Sequence, residues 1–193
     1  MVELDLTGLQ MPNLPEQPQD NQVVLRPLER GFGHTLGNAM RRILLSRLRG
    51  SAVWAFRTDG VLHEHQTIPG AVEDVHQVIR NLKALVLKMD EEVDEAVLEL
   101  RVSRSGAVTA RDIRENSSVE VVNPEHHILE LSEERDLRME LYVNKGRGFV
   151  LAEQHAMPRG MPADLVRIDA IYNPVRRANF AVEETRVGQR TDF

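Results

Sequence analysis

The sequence contains no cysteine, which excludes disulfide bonds, thiolate metal sites and cysteine nucleophiles. Aromatic residues make up only 4% of the chain, with Trp54 as the one tryptophan, so we expect Trp54 in a core or an interface rather than in a base-stacking platform. No apolar run is long enough to span a bilayer, and the N-terminus lacks a signal-peptide pattern. These absences favour a cytoplasmic protein with no membrane contact.

The chain also lacks a general excess of positive charge. Its 24 Lys and Arg face 30 Asp and Glu, for a formal net charge of -6. Nonspecific DNA binding needs a concentrated basic surface, so we expect no direct DNA contact from the chain as a whole. At 193 residues and 41% hydrophobic content, the chain can bury one sizeable core or two modest ones.

The stretch from Leu25 to Arg49 has the clearest pattern in the sequence. A short apolar strand over residues 23–28 leads to a glycine turn, and a helix is predicted from about Thr35 to Leu48. His34 or Thr35 is the expected N-cap. Gly50 lies just past the end, where a left-handed cap is favourable for glycine. Arg47 and Arg49 then fall in the last turn, which favours positive charge.

A helical wheel gives this predicted helix two unlike faces. One face gathers Leu36, Met40, Ile43 and Leu44, and the other gathers Asn38, Arg41, Arg42, Leu45 and Arg49. The first face suits a core or a subunit seam. On the second, a leucine between arginines is typical of a protein-binding surface. A solvated face with one exposed leucine is the alternative, since scattered exposed leucines are normal.

The remaining pattern predicts an α+β fold. A second helix follows Pro69-Gly70, and period-two alternation predicts strands over residues 96–102 and 137–143. Further strands are predicted at residues 52–56, 119–122, 127–131, 165–172 and 178–187. One helix against many strands, twice over, favours two sheets. Because the first helix needs sheet partners from both ends of the chain, we expect a discontinuous first domain with a second domain inserted into it.

Three patterns raise enzymatic alternatives. Gly31, Gly33 and Gly37 resemble a dinucleotide-binding turn but have G-x-G-x-x-x-G spacing, so a tight turn for close packing is the favoured interpretation. His63, Glu64 and His65, with His76 nearby, offer metal ligands without a clear third member at suitable spacing. Glu125, His126 and His127 form a weaker cluster. No partnered Ser or carboxylate pair points to catalysis, so we predict no catalytic residue, no metal and no cofactor.

Positive charge near the end of the chain is mixed with acid. Arg176, Arg177, Arg186 and Arg190 are separated by Glu183 and Glu184. This order does not make a continuous phosphate track. A surface of both signs better suits a protein partner.

Several segments together resemble one protein family. The run L-E-R-G-F-G-H-T-L-G-N-A-M-R-R-I-L-L resembles the signature of the bacterial RNA polymerase alpha subunit, N-terminal domain. Further matching segments are D-G-V-L-H-E at 59–64, the helix at 73–87, G-R-G-F-V at 146–150, Y-N-P-V-R-R at 172–177 and V-E-E-T-R-V-G-Q-R-T-D at 182–192. Together they span nearly the whole chain.

The resemblance implies a non-catalytic scaffold. In the family, two copies form a homodimer on which the beta and beta-prime subunits assemble into a nucleotidyltransferase, DNA-directed RNA polymerase. The first helix packs across the dimer seam, which implies this role for Phe32, Leu36 and Ile43, with Met40 on the same face of the wheel. The resemblance implies beta or beta-prime contacts for His34, Thr35, Asn38, Arg41, Arg42 and Leu45, and, in a second region, for Arg176, Arg177, Glu183, Arg186, Gln189 and Arg190.

The resemblance also sets the expected domains. Residues 1–49 and 172–193 are expected to form the discontinuous dimerisation domain, and residues 50–171 the inserted α+β domain. Family members continue past the Q-R-T-D motif with a strand, a long helix, a linker and a DNA-binding domain, so DNA and activator contacts of that region are not expected here. The loop over 156–164 lacks the acidic cluster that some members use for activators.

Overall fold

The computed structural model describes residues 23–61, 65–158, 160–183, 185–187 and 190–192. Its α-helices are α1 (Phe32–Ser46) and α2 (Val75–Lys83). Its strands are β1 (Arg49–Thr58), β2 (Leu87–Met89), β3 (Glu95–Val102), β4 (Gly106–Thr109), β5 (Val119–Val121), β6 (His127–Leu131), β7 (Leu137–Arg147), β8 (Phe149–Val150), β9 (Val166–Arg167), β10 (Ala170–Ile171), β11 (Thr185–Val187) and β12 (Arg190–Asp192). The predicted α+β class is confirmed. Of the residues that the sequence analysis singled out, His63, Glu64, Glu184 and Gln189 lie outside the described residues.

An antiparallel sheet around β1 organises the fold. β7 pairs along one edge of β1, and β3 pairs with β7 beyond it. The other edge of β1 is shared: β2 pairs at Ser51 and β9 pairs at Ala55 and Phe56. β5 extends the sheet beyond β2. The strands predicted from alternation over 96–102 and 137–143 are β3 and β7, and they pair in register, with Leu98 opposite Leu141.

β1 supplies side chains to two cores because successive side chains of a strand point to opposite faces, and a register shift against β7 between Val53 and Ala55 changes which residues face each core. Val53 and Phe56 belong to the main core, under α2 and the sheet. Ala52, Trp54 and Ala55 belong to a second cluster on the opposite side, together with tyrosines from β7 and from the segment after β10. Trp54 is 4% exposed, which confirms the prediction of a packed tryptophan.

α2 covers the main core with one apolar side. Val75, Val78, Ile79 and Leu82 are buried at helical spacing, and the Asp74 carboxylate caps the helix by accepting from the Gln77 N–H at 2.7 Å. The helix is shorter than the predicted 73–87.

The end of α2 is set by a side chain far along the chain. Asn123 accepts from the Val86 N–H at 2.8 Å and donates to the Ala84 carbonyl at 3.2 Å. These bonds hold the backbone after Lys83 out of the helix and lead it into β2, which begins at Leu87.

Several local predictions around α1 are wrong. Residues 23–28 form no strand, and Pro27 within them has no N–H for a ladder. α1 begins at Phe32, after Gly31 at φ 84, without a side-chain cap, so His34 and Thr35 lie inside the helix. It ends at Ser46, so Arg47 and Arg49 are not in its last turn. Gly50 is a residue of β1 rather than a helix cap.

The predicted final strands are also shorter than expected. Residues 165–172 contain only β9 and β10, and residues 178–183 form no strand before β11 begins. That irregular stretch lies along α1 instead. Among the described residues, α1 therefore packs against an irregular segment and not against the face of a sheet. The division into residues 1–49 plus 172–193 and 50–171 stays a prediction.

A half-buried ion pair joins α2 to the β9–β10 connection and gives a pH-dependent prediction. Asp169 accepts from Lys83 Nζ at 2.8 Å and from the Ala152 N–H at 2.9 Å. The hydrogen bond from Lys83 is the main cause that lowers the pKa of Asp169 below its ordinary value. A lowered folded-state pKa means that the stabilisation is complete above the unfolded pKa, about 3.9, and is lost as the pH falls through the folded pKa.

Asp169→Asn is expected to lower the free energy of unfolding by about 1 kcal/mol at neutral pH. The difference from the parent chain should shrink below about pH 4, as the parent loses the same charge. Urea unfolding at several pH values measures it. Glu120→Gln is the matched control, because Glu120 meets Lys88 only at 3.7 Å on an exposed surface and should cost less than about 0.5 kcal/mol. A difference for Asp169→Asn that does not change with pH would contradict the assignment.

Candidate protein-docking site

Helical spacing divides α1 into three parallel stripes of side chains, each following i, i+4, i+7 and i+11. The apolar stripe consists of Phe32, Leu36, Ala39 and Ile43; the glycine stripe consists of Gly33, Gly37, Met40 and Leu44; the polar stripe consists of His34, Asn38, Arg41 and Leu45. The glycine stripe lies between the other two. The wheel predicted two faces, and the structure separates a third one.

The glycine stripe is the side on which α1 packs against its own chain. Gly33 is the one buried residue of the helix. A Cβ added at Gly33 would lie 2.8 Å from Val182 Cγ1, and one added at Gly37 would lie 2.3 Å from the Phe180 ring. The ring of His34 meets Phe180 edge-on, with centroids 6.2 Å apart. Because Phe180 and Val182 fill the space above the glycines, this spacing serves close packing and leaves no phosphate cradle.

The segment over residues 172–182 runs antiparallel to α1. It begins beside Gly50, past the C-terminal end of the helix, where a Cβ would meet the Tyr172 carbonyl oxygen and approach Pro174. It then reaches Phe180 at Gly37 and Val182 at Gly33. The arginines of this segment, Arg176 and Arg177, therefore follow the C-terminal half of α1.

The apolar stripe is left largely uncovered. Phe32 is 57% exposed and Ile43 is 50% exposed, Ala39 is exposed, and Leu36 is half-buried. Of the four residues predicted for a dimer seam, Phe32, Leu36 and Ile43 share this stripe. Met40 lies on the neighbouring glycine stripe and is half-buried.

The polar stripe is also open to solvent. His34, Asn38 and Arg41 are exposed and Leu45 is half-buried, with exposed Arg42 beside them. Within the described part of the chain, the guanidinium groups of Arg41 and Arg42 have no hydrogen-bond or ion-pair partner. Thr35, which lies two helical turns before Arg42 on the same side of the helix, is exposed as well. The six residues predicted on α1 for large-subunit contact thus surround one exposed edge of the helix.

The second predicted contact region is partly described. Arg176, Arg177 and Glu183 are exposed, and none of them forms an ion pair with another described residue. Arg186 and Arg190 lie in the hairpin of β11 and β12, opposite Thr191 and Val187 respectively. Their side chains are not described.

Two exposed apolar residues were not predicted from the sequence. Phe149 is 56% exposed, Ile171 is 50% exposed, and they are opposite each other across β8 and β10. Each strand has only two residues, which is too short for a period-two signal. Phe149 lies within the G-R-G-F-V motif and Ile171 directly precedes the Y-N-P-V-R-R motif, and these motifs were the available signal.

The histidine clusters have structural partners. His65 Nδ1 and His76 Nε2 lie 3.3 Å apart. His127 Nε2 meets Glu73 Oε1 at 2.6 Å, and His126 Nε2 lies 2.9 Å from the Asn81 carbonyl oxygen. The last two contacts tie the region of β6 to α2 and to the residues just before it. In the described ranges, no group of three or more His, Asp or Glu residues could hold a metal ion.

None of the described helices is long and apolar enough to cross a membrane.

Comparison with known proteins identifies the family. Residues 55–173 match the model of the RNA polymerase Rpb3/RpoA insert domain. The DNA-directed RNA polymerase subunit alpha of Symbiobacterium thermophilum is 44% identical over 193 residues, which is 100% of this chain and 61% of that protein. The same subunit of Staphylococcus saprophyticus is 45% identical over the same shares. The chain thus spans 61% of the length of these relatives. Match and identities together show that the chain belongs to the bacterial RNA polymerase alpha-subunit family, which carries the Rpb3/RpoA insert domain.

Proposed function

We propose that this chain is a non-catalytic assembly subunit of a cytoplasmic, bacterial DNA-directed RNA polymerase. Two copies dimerise, and the dimer binds the beta and beta-prime subunits. The relatives are named as alpha subunits of this enzyme. The observation that carries the proposal is the division of α1: its glycine stripe is used by the chain itself, while two chemically unlike stripes remain exposed on either side.

The apolar stripe supports the dimer. Exposed Phe32 and Ile43 lie one above the other at helical spacing, with Leu36 between them. Apolar surface at the centre of an interface is removed from water on association, which supplies the main favourable free energy. We assign Phe32, Leu36 and Ile43 to the seam, with Met40 at its edge.

The polar stripe supports the contact with a large subunit. Arg41 and Arg42 have no partner among the described residues, and their planar guanidinium groups suit paired hydrogen bonds with carboxylates and backbone carbonyls. Leu45 provides an apolar contact between them. His34, Thr35 and Asn38 complete this region, and Arg176, Arg177, Glu183, Arg186, Gln189 and Arg190 form the second one. The proposal gives the chain no catalytic residue and no direct DNA contact.

Arg42→Ala is expected to weaken binding of the beta subunit by about 30-fold or more, because an interface arginine with no internal partner is typical of a binding hot spot worth about 2 kcal/mol. Titration of purified beta subunit against the chain measures the change. Arg42→Lys should recover only part of the loss, since it keeps the charge but not the planar donors.

Arg80→Ala is the matched control, because Arg80 is also an exposed helical arginine but lies on α2. The Arg80→Ala chain should bind the beta subunit with the same affinity as the parent chain. Equal binding by the Arg42→Ala chain, with the fold intact by circular dichroism, would contradict the proposed contact.

A further inference from the structure

The exposed pair of Phe149 and Ile171 is unusual for the outer face of a two-stranded ribbon. Their neighbours in the same ladder, Val150 and Ala170, face inward and pack in the second cluster. Strand alternation then points Phe149 and Ile171 outward, where polar side chains are normal. Both are more than one-third exposed, so the ribbon presents a contiguous apolar pair to solvent.

This pair lies at the C-terminal end of α1. Gly148, directly before Phe149, is close to the last residue of the helix: a Cβ added there would lie 3.8 Å from the Ser46 carbonyl oxygen. The Gly148 carbonyl accepts from the Tyr172 N–H at 2.9 Å, directly after Ile171. The pair therefore lies between the end of the polar stripe and the segment that leads to Arg176 and Arg177.

Three segments next to the pair are free of acid although the chain is acidic, and the acidic residues just beyond them include Glu153 and Asp169, which pairs with Lys83. Residues 30–58, 141–152 and 170–182 contain no Asp or Glu. The exposed arginines of these segments that have no ion-pair partner among the described residues include Arg42, Arg47, Arg147, Arg176 and Arg177. In a protein of net charge -6, this segregation leaves exposed arginines on the segments next to the apolar pair, and we call these arginines the rim. Such a rim fits carboxylates on the other side of an interface.

We propose that Phe149 and Ile171 form the apolar anchor of a single docking surface, which joins the polar stripe of α1 to the segment at Arg176 and Arg177. Its occupant is a surface of the beta subunit that presents an apolar side chain between carboxylates. This inference rests on the proposed function. It adds a contact centre to the two separate regions that the sequence predicted.

The test measures equilibrium binding of purified beta subunit to five forms of the full chain: the parent, Phe149→Ala, Ile171→Ala, Arg147→Ala and Val97→Ala. Phe149→Ala should weaken binding at least about tenfold, as expected for a central aromatic anchor. Val97 is the matched control, because it is 48% exposed on β3, and Val97→Ala should bind like the parent. Ile171→Ala is a second variant of the anchor and should weaken binding in the same direction.

Salt dependence separates the anchor from the rim. Between about 0.05 M and about 0.3 M salt, parent binding should weaken because exposed charges are screened. Arg147→Ala should reduce this dependence, whereas Phe149→Ala should lower affinity at every salt concentration and leave the dependence unchanged. Circular dichroism and thermal unfolding should be the same for all forms, since the substituted side chains are exposed.

The outcomes distinguish the two proposals. A parent chain that does not bind the beta subunit overturns the proposed function, and this inference with it. If the parent binds and Arg42→Ala weakens it, but Phe149→Ala and Ile171→Ala bind normally, only this inference is overturned. If Phe149→Ala instead lowers self-association in sedimentation equilibrium and leaves subunit binding unchanged, the occupant is a second copy and the inference is likewise overturned.

Discussion

Gly50→Ala is expected to lower the free energy of unfolding by about 3 kcal/mol, a large fraction of the stability of a domain of this size. A Cβ at this position would lie 1.9 Å from the Tyr172 carbonyl oxygen and 3.0 Å from its carbonyl carbon. These are backbone atoms, so no side-chain rotation can relieve the overlap. Either β1 or the segment after β10 must move.

Movement at Tyr172 is resisted from two sides. Its ring is buried and packs over Gly146, where an added Cβ would lie 2.5 Å from the ring. Its hydroxyl donates to Asn144 Oδ1 at 2.5 Å, and burial raises the pKa of Tyr172 to about 12, so it remains protonated as a donor at neutral pH. The tyrosine is therefore fixed against β7, and the cost of the new methyl group falls on the β1 pairing.

Urea unfolding followed by circular dichroism measures the loss at Gly50. Ser51→Ala is the control: Ser51 is the next residue of β1 and is half-buried, and removing its hydroxyl should change stability by less than about 0.5 kcal/mol. Gly50→Ala should also weaken the binding of the chain to any partner that contacts both α1 and the segment after Tyr172. A variant with parental stability would show that the close approach of the two backbones is not required.

Gly50 illustrates why part of the fold is not predictable from local sequence. Glycine after a helical pattern indicates a left-handed cap, but glycine is equally required where another backbone approaches too closely for a Cβ. The approaching residue, Tyr172, is far along the chain, so the local pattern cannot distinguish the two uses. By contrast, the alternation in β3 and β7 is local, since one buried and one solvated face impose period two on each strand. Those strands were predicted correctly.

The candidate site, like the fold, was predictable from the sequence only where the signal is local. The arginines and Leu45 of α1 are recognisable from helical spacing, and the structure exposes the arginines as predicted. The separation of the glycine stripe depends on Phe180 and Val182, which reach α1 only through the fold of the segment after β10. Phe149 and Ile171 face each other across a ribbon of two residues per strand, and a ribbon that short has no periodic signal. Non-local packing therefore accounts for what the sequence did not show.

Phe56→Ala is expected to lower the free energy of unfolding by about 3 to 5 kcal/mol, through lost burial and the cavity left behind. Phe56 is 0% exposed, in the middle of β1. It is flanked in register by Leu141 of β7 and Val166 of β9, so strands on both sides of β1 limit the collapse of the cavity. Urea unfolding should show a lower midpoint concentration of urea, while the m-value, the dependence of the unfolding free energy on urea, stays the same. A loss below about 1 kcal/mol would contradict the central position of this ring.

Phe32→Ala is the matched control, because it removes the same atoms from an exposed position. Phe32 is 57% exposed on the apolar stripe of α1, so its truncation should change the free energy of unfolding of the monomer by less than about 0.5 kcal/mol. Under the proposed function, the two variants then differ in kind: Phe56→Ala lowers stability, while Phe32→Ala weakens self-association in sedimentation equilibrium at unchanged monomer stability. If Phe32→Ala left self-association unchanged, the apolar stripe would not be the dimer seam, whatever the result at Phe56.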